Sequence, residues 1–388
     1  MPKVAVIMAS RTNPRMREKR VQTEVKADPR KAPRPVTFSR VGLSSTMSMH
    51  HDSPEPMIPE MRLAFDARVR PHSSFARVLT LLQNSADVAG IPWEAWTEGP
   101  CSADVLWSTQ QAAIPPVEGP RFVASIYDTN PLMDVSRSFL SRKWNVWKFH
   151  RNVRKCTRLA WKISTCSENA QQNILNYFPS MAGHLFTVPL FADKDFSPGA
   201  PEPEVLAKLD LQSGYLLYVG ALRKHKNWET LVRAWAQLPE PLRKAHQLVL
   251  VGRAKRAQNA LRKLRNELSP LDSIKVIEDI PDGGLLELYR GADLFCFPSL
   301  AEGFGLPPLE ALACGIPVVS SDRTSLPEIL GPAALYADPL DADALSKVLE
   351  RGLMDGRTRQ FLSRTGPERA AAWNPERTGR AMKELLEL

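Results

Sequence analysis

Residues 294–315 decide the fold, and they read LFCFPSLAEGFGLPPLEALACG. The stretch opens with four apolar residues, which is typical of a buried strand. Pro307 and Pro308 suit the first turn of a helix, and Gly315 suits the position where that helix stops. A strand that leads through a glycine-containing loop into a helix is the repeating unit of a parallel β-sheet covered by helices on both faces.

The same alternation of strands and helices extends outward on both sides of this stretch. Helices are predicted at 75–82, behind the first strand, and at 228–238, where Asn227 is a suitable N-cap. We predict buried strands at 61–67, 105–107, 122–126, 162–166, 215–219, 247–251, 274–277, 294–297 and 317–320. The repeat predicts an α/β fold, and parallel sheets of this kind bind ligands at the carboxyl ends of their strands.

The chain length and its charge distribution indicate the domain organisation. Because 388 residues exceed one ordinary domain, we expect two domains and an appendage. The net charge of +9 lies in residues 1–50, which hold 11 Lys and Arg against three acidic residues, whereas the other 338 residues hold 40 against 39. This nearly neutral body argues against nucleic acid as a partner. Residues 1–60 are rich in proline and charge, so we expect a disordered basic extension.

Cysteine usage and hydropathy indicate the compartment. The five cysteines include no C-x-x-C pair, which argues against a disulfide framework or a zinc cluster and fits a reducing compartment. No apolar run in the sequence approaches the ~20 residues needed to cross a bilayer. We therefore expect a cytoplasmic protein. The sequence leaves open whether residues 1–60 belong to the native protein, since a cleaved import peptide and a start codon assigned ahead of Met61 both fit.

The first candidate ligand loop lies within the opening stretch. Gly303 and Gly305 allow the backbone to approach a ligand, and the amides of residues 304–306 precede a helix whose positive end favours an anion. Glu302 and Glu310 flank these amides, and carboxylates accept hydrogen bonds from sugar hydroxyls. The alternative interpretation is a tight turn without a ligand, in which Glu302 lies at the surface and Glu310 interacts favourably with the helix dipole.

The second candidate loop spans residues 220–227. It places Arg223, Lys224 and Lys226, with one histidine, between a strand and a helix N-terminus, a combination that suits a phosphate group. A solvated basic loop is the alternative. Two such loops on adjacent parallel strands predict a site for a diphosphate attached to a group rich in hydroxyls.

These loops resemble those of the retaining nucleotide-sugar glycosyltransferases of family 4, which have the GT-B fold. The E-x7-E signature of that family matches Glu302 and Glu310, with Gly303 and Gly305 between them. The resemblance is specific over 215–388 and weaker over 61–190. Other matching positions are 292–294, 320–328 and Trp373, which precedes a predicted last helix at about 375–386.

The resemblance implies two Rossmann-like domains that face a cleft. It assigns 61–190 to the acceptor domain and 191–372 to the nucleotide-sugar donor domain. Residues 373–388 would form a C-terminal helix that crosses back onto the first domain.

The resemblance also implies a role for each site residue. Glu310 would hold the ribose hydroxyls, Glu302 would contact the transferred sugar, and Lys226 would neutralise the diphosphate leaving group. Asp128 stands in the family's His-Asp pair near the sugar. Further donor contacts are implied for Gly303, Phe304, Gly305, Leu306, Gly220, Arg223, His225 and, beside the base, Ile280. No metal and no cofactor are implied, because basic side chains and a helix terminus take that role.

Some positions depart from the family pattern. Ala221 and His225 stand where many members have arginine, so either Arg223 substitutes for the missing arginine or the diphosphate is held more weakly. Tyr127 replaces the histidine of the His-Asp pair, and a tyrosine cannot exchange protons near neutral pH as histidine does.

Two further pairs are interpreted as structural. Ser325 and Glu328 have the spacing of a capping box, so we predict that they begin a helix. Asp66 and Arg68 follow the first strand and are also expected to stabilise the fold.

A basic segment of the first half has no acidic residue from 135 to 167. Residues 146, 149, 153, 156 and 160 recur at helical spacing and should face the core. The opposite side carries Trp144, Trp147, Arg151, Arg154, Lys155, Arg158 and Lys162. Residues 142–162 therefore suit peripheral contact with the inner face of an anionic membrane. A solvated helix and an RNA-binding groove are the alternatives.

The resemblance implies a metal-independent retaining glycosyltransferase that moves a sugar from a nucleotide-sugar donor, GDP-mannose in the first instance, to a glycan or lipid-linked acceptor in polysaccharide biosynthesis. A UDP-sugar-dependent glycosyltransferase and a non-catalytic nucleotide-sugar-binding relative are the alternatives. A nucleic-acid adaptor built on the basic extension is a more distant one.

Overall fold

The computed structural model describes residues 61–387 except 72, 117, 134–138, 255–256, 269–273 and 282. The predicted extension at 1–60 lies outside the described residues. Within the described part of the chain, no helix is both long enough and apolar enough to span a membrane.

The first half of the described chain forms a six-stranded parallel sheet in the order β2-β1-β3-β4-β5-β6. Its strands are β1 Leu63–Asp66, β2 Trp93–Trp96, β3 Val105–Gln111, β4 Arg121–Ser125, β5 Lys162–Thr165 and β6 Leu185–Thr187. Its helices are α1 Ser74–Ala89, α2 Asn130–Met133, α3 Phe139–Leu159 and α4 Glu168–Tyr177.

The second half forms another six-stranded parallel sheet, in the order β12-β11-β10-β7-β8-β9. Its strands are β7 Tyr215–Val219, β8 Leu248–Val251, β9 Ile274–Ile277, β10 Ala292–Phe297, β11 Val318–Ser321 and β12 Ala334–Ala337. Its helices are α5 Pro203–Lys208, α6 Trp228–Ala236, α7 Glu240–Ala245, α8 Gln258–Glu267, α9 Gly284–Arg290, α10 Leu306–Ala313, α11 Leu326–Leu330, α12 Ala342–Met354, α13 Gly356–Ala371 and α14 Pro375–Leu386.

The strand pattern follows from burial. Every residue of the inner strands β8 and β11 is buried, because helices cover both faces of a parallel sheet. Each of the nine predicted strands corresponds to an observed strand, and the α/β prediction is confirmed. The strands absent from the prediction are β2, β6 and β12, and all three lie at sheet edges. In β2, two of the four residues are exposed, so the sequence carries no continuous apolar run there.

The C-terminal helix crosses back onto the first half, as predicted. Helix α14 packs on α1 so closely that a Cβ added at Gly379 would lie 2.8 Å from the Cβ of Ala89. The Thr378 hydroxyl donates a hydrogen bond to the Pro189 carbonyl at 2.8 Å. These contacts attach the C-terminal helix to the first half of the chain.

Asn227 precedes α6 as predicted, but its side chain does not cap the helix. Its backbone is left-handed, with φ of 57°. The side-chain amide donates to the Pro339 carbonyl at 2.6 Å, and its oxygen accepts from the Thr230 hydroxyl at 2.7 Å. The residue therefore ties the loop after β7 to the loop after β12.

Candidate active site

The two loops predicted from sequence lie side by side at the carboxyl end of the second sheet. They follow β7 and β10, which are neighbouring strands. The His225 carbonyl accepts hydrogen bonds from the Leu300 amide at 2.8 Å and from the Ser299 hydroxyl at 3.1 Å. The basic loop and the glycine-containing loop are thus held together by direct hydrogen bonds.

Lys226 and Glu302 form the ion pair at the centre of this edge. The Lys226 ammonium donates to both carboxylate oxygens of Glu302, at 2.6 and 2.8 Å. The two side chains are 20% and 10% exposed, so the pair is largely shielded from water. The ammonium also lies 5.2 Å from the centre of the Phe297 ring at the end of β10. The geometry presents a cation and a carboxylate together at the place where ligands of such sheets bind.

The turn between Glu302 and α10 is pressed against the first half of the chain. A Cβ added at Gly303 would lie 2.2 Å from the Tyr127 carbonyl oxygen, so only glycine fits there. The Ser167 hydroxyl donates to the Gly303 carbonyl at 2.6 Å. Gly305, with φ of 101°, directly precedes Leu306, the first residue of α10. The turn therefore lies at the interface between the two sheets.

Phe304 contributes its backbone to this turn, while its side chain belongs to the core. The ring is buried and makes an edge-to-face contact with Trp373, at 5.4 Å between centres. Trp373 in turn donates from its indole to the Ile329 carbonyl at 3.0 Å.

Asp128 faces this turn from the carboxyl end of β4. Its carboxylate accepts from the Asn130 amide at 3.1 Å and from the Asn130 side chain at 2.9 Å. Burial raises the pKa of Asp128 to about 6; Glu302 acts in the same direction, and the hydrogen bonds from Asn130 and the charge of Lys226 oppose it. A carboxyl with this pKa changes protonation close to neutral pH, which is the range useful for proton transfer.

Tyr127, next to Asp128, is unsuited to proton transfer. Burial raises the pKa of its phenol above the ordinary value. Its hydroxyl is buried and has no hydrogen-bond partner among the described residues, and its ring stacks on Phe75 at 6.1 Å.

Glu310, predicted to hold a ribose, is completely buried in this structure. One carboxylate oxygen accepts from the Tyr289 hydroxyl at 2.9 Å, and the other forms an ion pair with Arg77 of α1. Burial raises the pKa of Glu310, and the Arg77 guanidinium opposes this rise.

The remaining predicted donor residues surround the same edge. Arg223 is exposed and His225 half-buried in the loop after β7, which begins at Gly220. Ile280 is half-buried in the loop after β9, two strands away from β7. The structure thus brings Lys226, Glu302 and Asp128 together, and it places Ile280 further along the edge.

Sequence reasoning missed Arg253 at this edge. A Cβ added at Gly252 would lie 2.2 Å from the Gly220 carbonyl oxygen, so the loops after β7 and β8 are in contact. The Leu222 amide donates to the Arg253 carbonyl at 3.3 Å. The Arg253 side chain is exposed and has no ion-pair partner within the described ranges. Its position directly after a strand-ending glycine was the available signal.

Glu328 does not act as the predicted helix cap. Ser325 donates instead to the carbonyls of Glu302 and Phe304, at 3.1 and 3.0 Å. The Glu328 carboxylate accepts from the first two amides of α4, those of Glu168 and Asn169, at 3.0 and 2.8 Å. It therefore bridges the two halves of the chain, which a local sequence pattern cannot reveal.

The Asp66–Arg68 pair has the structural role that we expected. Asp66 is fully buried and accepts two hydrogen bonds from the Arg68 guanidinium, at 2.8 and 2.9 Å, and one from Ser108 at 3.0 Å. The guanidinium also lies over the Trp96 ring, 4.5 Å from its centre.

Two cavities differ in their relation to these residues. A cavity of about 10 Å³, lined by Asp128, Asn130 and Glu302 among others, holds roughly one water molecule. A cavity of about 550 Å³ lies between α1, α13 and residues 191–198, and contains none of the predicted site residues. The larger cavity includes neither Lys226 nor Glu302, although its lining residue Phe196 lies beside Arg77. No group of three His, Cys, Asp or Glu residues in the described chain is arranged to hold a metal ion.

The predicted basic surface lies on α3. Trp144 and Trp147 are 61% and 49% exposed and stack on each other, with ring centres 5.0 Å apart. The Arg151 guanidinium lies 4.9 Å from the Trp147 ring, and Arg154, Lys155 and Arg158 are exposed beyond it. Lys162 was wrongly assigned to this surface. It is buried at the start of β5 and pairs with Glu387 at 2.6 Å.

Comparison with known proteins shows which family this chain resembles. Residues 206–369 match the family model described as Glycosyl transferases group 1. The chain is 36% identical over 217 residues to O-antigen chain mannosyltransferase B of Escherichia coli, an alignment covering 55% of this chain and 57% of that protein. The chain thus spans little more than half the length of this relative.

Solved structures establish the fold. Sucrose-phosphate synthase from Thermosynechococcus elongatus superposes with a TM-score of 0.66 at 19% identity, covering 84% of this chain and 98% of that one. Anabaena HepE in complex with UDP-glucose superposes with a TM-score of 0.65 at 15% identity, covering 84% and 100%. The predicted two-domain GT-B fold is confirmed. Residues 206–369 match the glycosyl transferases group 1 family, and the predicted resemblance to its mannosyltransferase-like members is confirmed.

Proposed function

We propose that this protein is a glycosyltransferase that moves a sugar from a nucleotide-sugar donor to a glycan or lipid-linked acceptor, with retention at the anomeric carbon. The observation that carries the proposal is the shielded Lys226–Glu302 pair at the carboxyl edge of the second sheet. It stands beside the amides that open α10 and opposite Asp128 of the first sheet.

Each group has a defined task in such a transfer. When the bond to the leaving diphosphate breaks, negative charge develops on its oxygens, and a fixed ammonium next to them stabilises that charge. We assign this task to Lys226, assisted by the amides of 304–306 and by Arg223. Glu302 accepts hydrogen bonds from the hydroxyls of the transferred sugar. We assign to Asp128, whose pKa burial raises to about 6, the task of accepting the proton of the acceptor hydroxyl.

GDP-mannose is the proposed donor, and no metal ion or cofactor is assigned a role. Support for mannose comes from the mannosyltransferase named above, with which this chain shares 36% identity over 217 residues. The proposed acceptor class, a glycan or a lipid-linked glycan, has the same support.

Calorimetric titration of the full chain with GDP, UDP, ADP, GDP-mannose and UDP-glucose tests the donor, followed by turnover of the nucleotide sugar that binds. Lys226→Ala is expected to weaken binding, whereas Lys244→Ala, which removes the exposed ion pair with Glu240, should leave it unchanged. The anomeric configuration of the product, read by NMR, tests retention. Failure of every nucleotide to bind would refute the proposal.

A non-catalytic nucleotide-sugar-binding protein is the second candidate. The observation in its favour is Tyr127, whose buried phenol replaces the histidine expected beside Asp128. Saturable nucleotide-sugar binding with neither transfer nor hydrolysis, across a panel of glycan and lipid-linked acceptors, would favour this candidate.

We also propose that α3 contacts an anionic membrane from the cytoplasmic side. The exposed Trp144–Trp147 stack and the neighbouring cations suit an interface where aromatic rings meet negatively charged headgroups. Co-sedimentation with phosphatidylglycerol vesicles is expected, and neutral phosphatidylcholine vesicles should bind less. A Trp144→Ala and Trp147→Ala double variant should lose binding, while Tyr177→Ala, which removes another half-exposed aromatic residue, should retain it. Equal binding by both variants would contradict this contact.

A further inference from the structure

Glu310, the carboxylate assigned to the nucleotide ribose, forms an ion pair that joins the two halves of the chain. Arg77 belongs to α1, which packs on the first sheet, and Glu310 belongs to α10 beside the second. The guanidinium contacts one oxygen of Glu310, and the Tyr289 hydroxyl donates to the other at 2.9 Å. Protein groups therefore engage both oxygens of this carboxylate.

The pair is stabilised by its surroundings. Glu310 is completely buried, and a buried carboxylate without a cation beside it is strongly unfavourable. Arg77 remains 33% exposed, and its guanidinium lies 5.2 Å from the centre of the Phe196 ring. Arg77 is thus the cation that compensates Glu310, held from one side by the carboxylate and from the other by an aromatic ring.

The space between Glu302 and the first half of the chain leaves no room for a donor sugar. The cavity beside Glu302 is only about 10 Å³, and Gly303 touches the Tyr127 carbonyl across the interface. A nucleotide sugar can enter only if the two halves separate. Because Arg77 and Glu310 lie on opposite halves, the same movement breaks their ion pair.

We propose that Arg77 is a positioning residue that keeps Glu310 closed to the nucleotide, and that donor binding exchanges the guanidinium for the ribose hydroxyls. This inference rests on the proposed nucleotide-sugar site. The Arg77 guanidinium competes with the ribose hydroxyls for Glu310. Only chains in which the ion pair is broken can bind nucleotide, so the apparent affinity falls as the fraction of chains with the pair formed rises. Removal of the guanidinium should therefore strengthen nucleotide binding.

The test is calorimetric titration of the full chain with GDP and UDP in the wild type and in Arg77→Gln. The glutamine retains a stem that can pack near Phe196 and removes the charge. We expect Arg77→Gln to lower the Kd at least about tenfold and to lower the melting temperature, because Glu310 loses its cation in the free protein. Arg233→Gln breaks the exposed pair with Glu267 and is the matched control, with an unchanged Kd. If Arg77→Gln does not fold, Arg77→Lys should shift the Kd in the same direction by a smaller factor.

Each outcome decides between the two proposals. A lower Kd in Arg77→Gln supports the positioning role, since a purely structural residue would not improve affinity when removed. An unchanged or higher Kd, with binding still lost in Glu310→Ala, would overturn the role of Arg77 and leave the nucleotide site intact. Absence of nucleotide binding in both the wild type and Arg77→Gln would overturn the proposed function itself.

Discussion

Replacing Lys226 with alanine should lower both the free energy of unfolding and kcat, and the two effects can be measured separately. In the folded chain the ammonium contacts both oxygens of Glu302, at 2.6 and 2.8 Å. The side chains are 20% and 10% exposed, so the pair lies between a surface ion pair and a buried one. Surface pairs contribute about 0–1 kcal/mol, and breaking a buried pair costs about 3–5 kcal/mol. We therefore expect Lys226→Ala to lower the free energy of unfolding by about 2 kcal/mol.

The catalytic effect has a different origin. If Lys226 stabilises the leaving diphosphate, its loss resembles the removal of one fixed donor from a charge-stabilising site, which lowers kcat about 10²–10³-fold. The double variant Lys226→Ala with Glu302→Gln separates the two effects. It removes the unpaired carboxylate, so most of the lost stability should return, while kcat should remain at least as low as in Lys226→Ala.

The assay combines urea unfolding with initial rates on the nucleotide sugar that binds. Lys244→Ala, on an exposed helical ion pair, is the control and should change the unfolding free energy by less than about 0.5 kcal/mol. If the double variant recovered activity together with stability, Lys226 would be a structural partner of Glu302. That result would refute its assignment to the leaving group.

Three further predictions follow from single positions. Burial raises the pKa of Asp128 from 3.8 to about 6, so the folded state favours the protonated carboxyl. The resulting contribution to the free energy of unfolding is fully present below pH 3.8 and is lost as the pH rises through 6. Asp128→Asn should therefore raise the urea-unfolding free energy by about 2 kcal/mol at pH 7.5 and change it little at pH 4; the opposite order would contradict the burial argument. Glu328→Ala leaves two α4 amides unpaired and should cost about 1–2 kcal/mol in the same assay; no loss would show that water replaces the carboxylate. Gly303→Ala places a Cβ 2.2 Å from the Tyr127 carbonyl and should lower the melting temperature by several degrees, whereas Gly356→Ala meets no atom within 4 Å and should not; equal melting temperatures would mean that the interface opens freely.

The sequence was sufficient for the inner strands and for the prediction that the two candidate loops follow adjacent strands of the second sheet. The buried strand β8 is a continuous apolar run, and the glycines that follow β7 and β8, Gly220 and Gly252, mark the ligand-binding edge. The missed strands β2, β6 and β12 lie at sheet edges and are partly exposed, although the edge strand β9 was predicted. The sequence predicted that Lys226 and Glu302 lie close together, because adjacent strands bring their loops together. It did not predict that the two side chains form an ion pair.

Contacts between the two halves could not be predicted from local patterns. Ser325 and Glu328 have the spacing of a capping box, yet the carboxylate reaches α4 of the first half. Glu310 lies in the expected signature, yet its ion-pair partner Arg77 belongs to α1 of the first half. These interactions depend on how the two sheets approach each other, which no periodicity within one segment encodes.

A crystal structure of the full chain with the nucleoside diphosphate that it binds would test the central claim most directly. We predict the β-phosphate within hydrogen-bonding distance of Lys226 and of the amides of 304–306. The ribose hydroxyls should contact Glu310, with the Arg77 guanidinium withdrawn from it. A nucleotide bound elsewhere, for example in the 550 Å³ cavity between α1 and α13, would contradict the assignment of the site.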